Sequence, residues 1–268
     1  MMKLLRFLWN RLYTTWCVFW FVLPFVLLYP FLRWLSSKER TKPLAHSLHR
    51  IWAKLAMFFF LLPIKITGLE KLDAENHRYV FCPNHSSYID ILLLLRSIPG
   101  YLNFVGKSSL AKTPLWGKIY EALYICVDRN SRISRARSYI DAKNSLQHGR
   151  NMVIFPEGKI DSEVSGHQLL PFHSGAFKMA IELQVPVVPV SMPYNHYFLP
   201  ELHGKLRVRW HPIRAVFHEP ISTKGMTLGD TETLKETVYT IIQNELNRHP
   251  HHANRYKHPA RTGALSPS

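Results

Sequence analysis

Cysteine is scarce in this chain of 268 residues, and acid is scarcer than base. The three cysteines, Cys17, Cys82 and Cys126, stand far apart in apolar surroundings and are odd in number. That argues against a disulfide framework or a cysteine zinc cluster and fits a reducing compartment. Asp and Glu number 18 against 34 Lys and Arg, a formal charge of +16. Such a balance is drawn to polyanions: nucleic acid, an anionic membrane surface or a phosphorylated substrate. Interleaved aromatic motifs of the RNA-binding kind are absent, so no nucleic-acid partner is expected. No Gly-x-Ser-x-Gly elbow occurs, which leaves a Ser-His-Asp hydrolase without a nucleophile. Gly106-Lys107-Ser108 after Gly100 misses the P-loop count, because five residues separate the glycines where the loop needs four. No internal repeat is visible.

Charge is also missing from residues 12–32, twenty-one positions rich in Trp, Phe, Leu and Val. Lys3, Arg6 and Arg11 precede the run, and Arg33, Lys38 and Arg40 follow it. It is long enough to cross a hydrocarbon core as a helix. It is too long and too aromatic for a signal-peptide core, and no small-residue cleavage site follows. Pro24 and Pro30 are expected to kink it, which membrane helices tolerate. A second segment, residues 44–62, mixes His46, His49, Arg50 and Lys54 with a late apolar run. Basic residues on both flanks leave the positive-inside rule ambiguous. Three arrangements stay open: a hairpin dipping into one leaflet, which puts all the charges on one side, a full span, and a buried soluble helix.

From residue 63 onward the pattern is that of a soluble domain. Short apolar runs recur at residues 79–82, 102–105, 123–127, 152–155, 185–192 and 206–210, with amphipathic stretches at 134–147 and 175–183 between them. Strands alternating with helices predict an α/β fold with a mixed, largely covered β-sheet flanked by helices. Residues 231–246 read as a closing helix, with Thr233 and Glu236 spaced as a capping box. The expected division is membrane-anchoring helices over 1–62, a catalytic domain over 63–248 and a disordered tail over 249–268. The tail carries His249, His251, His252 and His258 without acidic or Cys partners, so solvation is expected there and no metal site.

Chemistry gathers where apolar runs end. Residues 79–82 lead into Asn84-His85, and Asp90 follows about one helical turn later if residues 89–95 form a helix. A His held by an acid has one tautomer fixed and its charged form stabilised, as a general base near neutral pH requires. Three other runs deliver Gly106-Lys107, Asp128-Arg129 and Glu157-Gly158-Lys159. Ligands of α/β sheets bind outside the carboxyl ends of strands, so these ends are expected to converge with His85 on one cleft.

Asn84-His85 with Asp90, then Asp128-Arg129, Phe155-Pro156-Glu157-Gly158 and Val185-Pro186-Val187-Val188-Pro189-Val190, in that order, resemble the lysophosphatidate (1-acylglycerol-3-phosphate) acyltransferase family over residues 64–220. The resemblance implies a membrane-bound enzyme on the cytoplasmic face. It would carry an acyl chain from acyl-CoA or acyl carrier protein, as co-substrate rather than cofactor, to the hydroxyl of a lysophospholipid. His85 with Asp90 would be the catalytic base, and Arg129, Lys107 and Lys159 would hold a phosphate. Glu157 would position the acceptor, with Gly158 allowing close backbone approach. Backbone N–H groups at the start of the following helix would face the oxyanion. The third block departs from the family pattern, since Gly158 is followed by Lys159-Ile160-Asp161 where Thr-Arg-Ser is common. Ser109 stands where a Glu is frequent. These departures keep open another acceptor, a zwitterionic or amino-acid-containing lysolipid. A non-enzymatic basic membrane protein would explain the charge and the anchor, but not the ordered series of site residues.

Overall fold

The computed structural model describes residues 2–73, 78–161, 167–201 and 206–249. Two helices come first, α1 (Met2–Leu35) and α2 (Lys42–Phe59). The remainder alternates as β1 (Ile64–Thr67), β2 (Val80–Pro83), α3 (Ile89–Ser97), β3 (Leu102–Lys107), α4 (Trp116–Leu123), β4 (Ile125–Val127), α5 (Arg132–Gln147), β5 (Asn151–Val153), α6 (Gly175–Glu182), β6 (Val187–Ser191), the helical turn α7 (Asn195–Phe198), β7 (Ile213–Phe217) and α8 (Thr231–Asn247).

The strands form one seven-stranded sheet in the order β1-β7-β6-β2-β5-β3-β4. From β6 to β4 every pairing is parallel, while β7 runs antiparallel to β6 and carries β1 parallel to itself. The sheet is mixed and covered on both faces. On β2, Phe81 joins one buried cluster with Trp52, Leu93, Phe104 and Phe217, while Val80 and Cys82 join another with Phe177, Val238 and Ile242. The alternation is the two-residue period of a strand whose faces are both buried. The first cluster is roofed by α1 to α4, the second by α5, α6 and α8.

The first helices form an antiparallel hairpin, with the Tyr13 hydroxyl donating to Phe60 O and the Trp52 indole to Phe21 O. α1 runs unbroken through Pro24 and Pro30. It is the one helix, among the described residues, long and apolar enough to cross a membrane, and it leaves Leu5, Trp9, Leu12, Leu27 and Phe31 exposed. α2 differs. Its buried face, Ala45, His46, His49, Trp52, Ala53, Ala56 and Met57, follows a helical stripe that packs on the sheet domain.

Several expectations need correcting. Residues 206–210 alternate like a strand but form none. Val208 exchanges hydrogen bonds with the Thr14 hydroxyl of α1, and Arg209 N–H donates to Phe198 O, so this backbone is satisfied outside the sheet. The strand comes a few residues later, as β7, with Ile213, Ala215 and Phe217 turned inward. Within residues 123–127, Leu123 ends α4 and only Ile125–Val127 is strand. The capping box lies at Thr227 and Asp230, because α8 starts at Thr231 and Thr233 is already inside its first turn. His249, assigned to the tail, is buried and bonded to Glu245 and Tyr194. His251, His252 and His258 lie outside the described residues, as does the rest of the tail.

Candidate active site

The site begins where β2 ends. Asn84, fully buried, pairs its amide with the backbone of Met192: Oδ1 accepts from the N–H at 2.6 Å and Nδ2 donates to the carbonyl at 3.3 Å. This stitches the exit of β2 to the exit of β6 and aims the next residue, His85, out of the sheet. Asp90 lies in the first turn of α3 and folds back, placing Oδ2 3.0 Å from His85 Nδ1. The same oxygen accepts the N–H groups of Ser86 and Ser87, each at 2.9 Å. Oδ1 accepts from the Asn195 amide at 2.7 Å. With an acceptor-only carboxylate on Nδ1, that nitrogen carries the proton and the lone pair is on Nε2. Phe155 stacks on the imidazole with centroids 3.8 Å apart.

Glu157 closes the other side. Its Oε1 accepts the backbone N–H of His85 at 2.7 Å and its Oε2 that of Leu170 at 3.0 Å. The carboxylate therefore spends both oxygens on the protein's own backbone and is 6% exposed. Burial pushes its pKa up to about 7, against the opposing pull of the Leu170 and His85 N–H bonds, with the nearby Asp90 charge adding to the rise.

Register brings the cations to the same edge. Phe81 of β2 is level with Val153 of β5, Val153 with Phe104 of β3, and Val105 with Ile125 of β4. His85, Glu157, Lys107 and Arg129 therefore all emerge three to five residues beyond a common level. From β2 to β4 this row spans about 14 Å at ordinary strand spacing. Arg129 is exposed and acts electrostatically on the Tyr88 hydroxyl, in the same turn as His85. Neither Lys107 nor Arg129 has an ion-pair partner among the described residues. Lys159 does, since its ammonium lies 2.8 Å from Asp161 Oδ2, so its charge is partly offset. Gly158 has φ +73°, and a Cβ there would come within 3.1 Å of the His173 ring. What approaches Gly158 closely in this structure is thus a side chain of the protein.

Two readings of the sequence change. The N–H groups of residues 85–87 are taken by Glu157 and Asp90, and that of Ile89 by Ser87 Oγ, so they are not free to face an oxyanion. Asn195 and Met192 were not anticipated, and no local spacing signals them; Phe155 stands in the Phe155-Pro156-Glu157-Gly158 block, but its stacking on His85 is not visible there. No group of three or more His, Cys, Asp or Glu that could hold a metal ion occurs among the described residues.

The Acyltransferase family model matches residues 63–193. A 1-acyl-sn-glycerol-3-phosphate acyltransferase of Cocos nucifera is 29% identical over 198 residues, 73% of this chain and 62% of that protein. One of Saccharomyces cerevisiae is 28% identical over 208 residues, 70% of this chain and 65% of that protein. The match thus spans somewhat under two thirds of these relatives' lengths. The crystal structure of the acyltransferase PlsC of Thermotoga maritima superposes with a TM-score of 0.72 over 91% of this chain and 97% of that one, at 22% identity, showing a shared fold. Sheet and family match together describe an α/β domain similar to acyltransferases over residues 63–193, preceded by an apolar helix. Over about 70% of its length the chain is thus similar to 1-acyl-sn-glycerol-3-phosphate acyltransferases.

Proposed function

We propose that this protein is a membrane-bound O-acyltransferase that moves a fatty acyl chain from acyl-CoA or acyl carrier protein to the free hydroxyl of 1-acylglycerol-3-phosphate, giving phosphatidate. The observation that carries the reading is the His85–Asp90 contact on the sheet edge that also carries Lys107 and Arg129, neither of which has an ion-pair partner among the described residues. His85 Nε2 takes the proton of the hydroxyl as its oxygen attacks the thioester carbonyl carbon. The tetrahedral intermediate collapses, the carbon–sulfur bond breaks, and the departing thiolate takes the proton back from Nε2. Asp90 stabilises the imidazolium between the two transfers. Arg129 supplies a fork for the phosphate and Lys107 a point charge, with Lys159 in a lesser part because of Asp161. Glu157, with both oxygens on backbone, holds the His85 turn against the end of β5. The exposed apolar side of α1 lies in the bilayer, with the catalytic domain on the cytoplasmic face.

The Lys159–Asp161 pair favours a second reading at the level of acceptor, a lysolipid whose head group is zwitterionic or carries an amino acid. Vesicle-bound protein given labelled acyl-CoA and a panel of lysolipids separates the two. The proposal predicts phosphatidate as the main product. A main product from a zwitterionic lysolipid would replace the acceptor while keeping the chemistry, and no acylated lipid with either acyl-CoA or acyl carrier protein as donor would overturn the enzyme.

A further inference from the structure

Asp90 is fully buried, and its two oxygens are used unequally. Oδ2 collects three donors, all from within five residues: the His85 ring and the N–H groups of Ser86 and Ser87. Oδ1 has one, the Asn195 amide at 2.7 Å, which arrives from 105 residues further along the chain. The first three come with the turn itself. The fourth has to be brought by the fold. Without it, a buried ionised oxygen would have no partner, a cost that drives a carboxylate to turn, to admit water or to take up a proton.

The segment carrying Asn195 is built against this turn. Asn195 is itself fully buried. The Ser87 hydroxyl donates to Leu199 O at 2.7 Å, and, with burial the larger cause, the Glu201 carboxylate lies near enough to Tyr88 to help push its hydroxyl pKa up. Residues 195–201 therefore meet the His85–Asp90 turn at three points. The amide's own Oδ1 is buried and has no hydrogen-bond partner among the described residues. The fold thus accepts an orphaned acceptor to place the donor on Asp90.

We propose that Asn195 is a positioning residue for the dyad. It keeps Asp90 ionised and turned toward Nδ1, so that His85 presents Nε2 to the substrate hydroxyl. A neutral donor suits the task. A cation here would weaken the hold of the carboxylate on His85, and a second carboxylate would compete for its protons. This role rests on the reading of His85 as base, and the test keeps the two apart.

Full-length protein in vesicles, with acyl-CoA and 1-acylglycerol-3-phosphate, is compared with Asn195→Leu, which keeps roughly the volume and loses the donor, and with Asn195→Asp, which keeps the shape. Asn195→Leu is expected to lower kcat roughly ten- to hundredfold, the loss of one hydrogen bond to a charged group. Both KM values should stay within about twofold, as for an interaction made through the base alone. The acid limb of its pH profile should move to lower pH, because a carboxylate that turns away or takes up a proton no longer stabilises the imidazolium. Asn195→Asp should lose rate increasingly as pH rises and both carboxylates ionise. An unchanged kcat and pH profile in either folded variant, a change confined to KM, or loss of fold in both by circular dichroism would overturn the proposal. His85→Ala is assayed alongside. If it stays active, the base reading fails; if it is dead while the Asn195 variants are fully active, only the role of Asn195 fails.

Discussion

His85 is held by three partners from two segments: Asp90 of α3 at its ring, and, from the stretch just after β5, Glu157 at its backbone and Phe155 beneath its face. Arg129, exposed and without an ion-pair partner among the described residues, has no such structural duty. Arg129→Ala is expected to raise KM for a phosphate-bearing acceptor at least tenfold, roughly the 1.4 kcal/mol or more that a charge-assisted contact contributes, with little change for the acyl donor. Steady-state kinetics on both substrates check this, and equal effects on the two would make Arg129 structural. Glu157 sets a pH dependence. Only the ionised carboxylate offers an acceptor to both N–H groups, so kcat/KM should fall below about pH 7, the pKa to which burial raises it. Stability runs the other way. A folded pKa above the unfolded 4.5 gives a contribution that is full below that value and lost as pH rises through about 7. Glu157→Gln, with one acceptor oxygen left, should be slower and lack the Glu157 share of the acid limb; a variant with wild-type rate and profile would contradict this. At this scale the sequence was legible where contacts are local. His85 and Asp90 sit one turn apart, and Lys107, Arg129 and Glu157 end apolar runs. Asn195, 105 residues from Asp90, meets it only because β6 leads α7 past the exit of β2.

β2, β3, β5, β6 and the helices α3, α5, α6 and α8 follow apolar patterns visible in the chain. β7 was missed because residues 206–210 imitate a strand better than Ile213–Phe217, whose interior Arg214 and small Ala215 blur the run. α2 misled in another way. Its histidines stood out only as polar residues mixed into an apolar segment, yet His46 accepts from Leu102 N–H and His49 bonds the Tyr124 hydroxyl between Trp52 and Trp116. Burial lowers the pKa of each to about 3, with Arg50 adding to the effect on His46 and His46 to that on His49. Both stay neutral when folded, so their contribution is full above pH 6.5 and lost progressively as pH falls toward 3. At pH 5.5 the two together cost roughly 3 kcal/mol. His49→Phe should show a smaller drop in Tm than wild type between pH 7.5 and about 5.5, read by thermal unfolding. An equal drop would mean that His49 titrates freely. α1 makes a separate prediction. Removing residues 1–40 should release the protein from membranes or leave it insoluble, and unchanged partitioning in a flotation assay would refute the anchor.

Across the molecule the anchor and the site are joined by a short series of contacts. Thr14 of α1 bonds Val208, the neighbouring Arg209 N–H donates to Phe198 O, and Asn195 in the same helical turn as Phe198 reaches Asp90. Trp210 donates to Leu61 O at the end of the hairpin. A chain of charge +16 that carries both an apolar helix and a strand-end row of cations suits the proposed substrate, which is itself half lipid and half anion. The whole account turns on His85 as the group that takes the hydroxyl proton. The most direct measurement is acyl transfer from labelled acyl-CoA to 1-acylglycerol-3-phosphate by His85→Ala and wild-type protein, matched for membrane-bound amount. The account predicts transfer by the wild type and a loss of at least about a hundredfold in the variant, with membrane association unchanged. Full transfer by membrane-bound His85→Ala would contradict it.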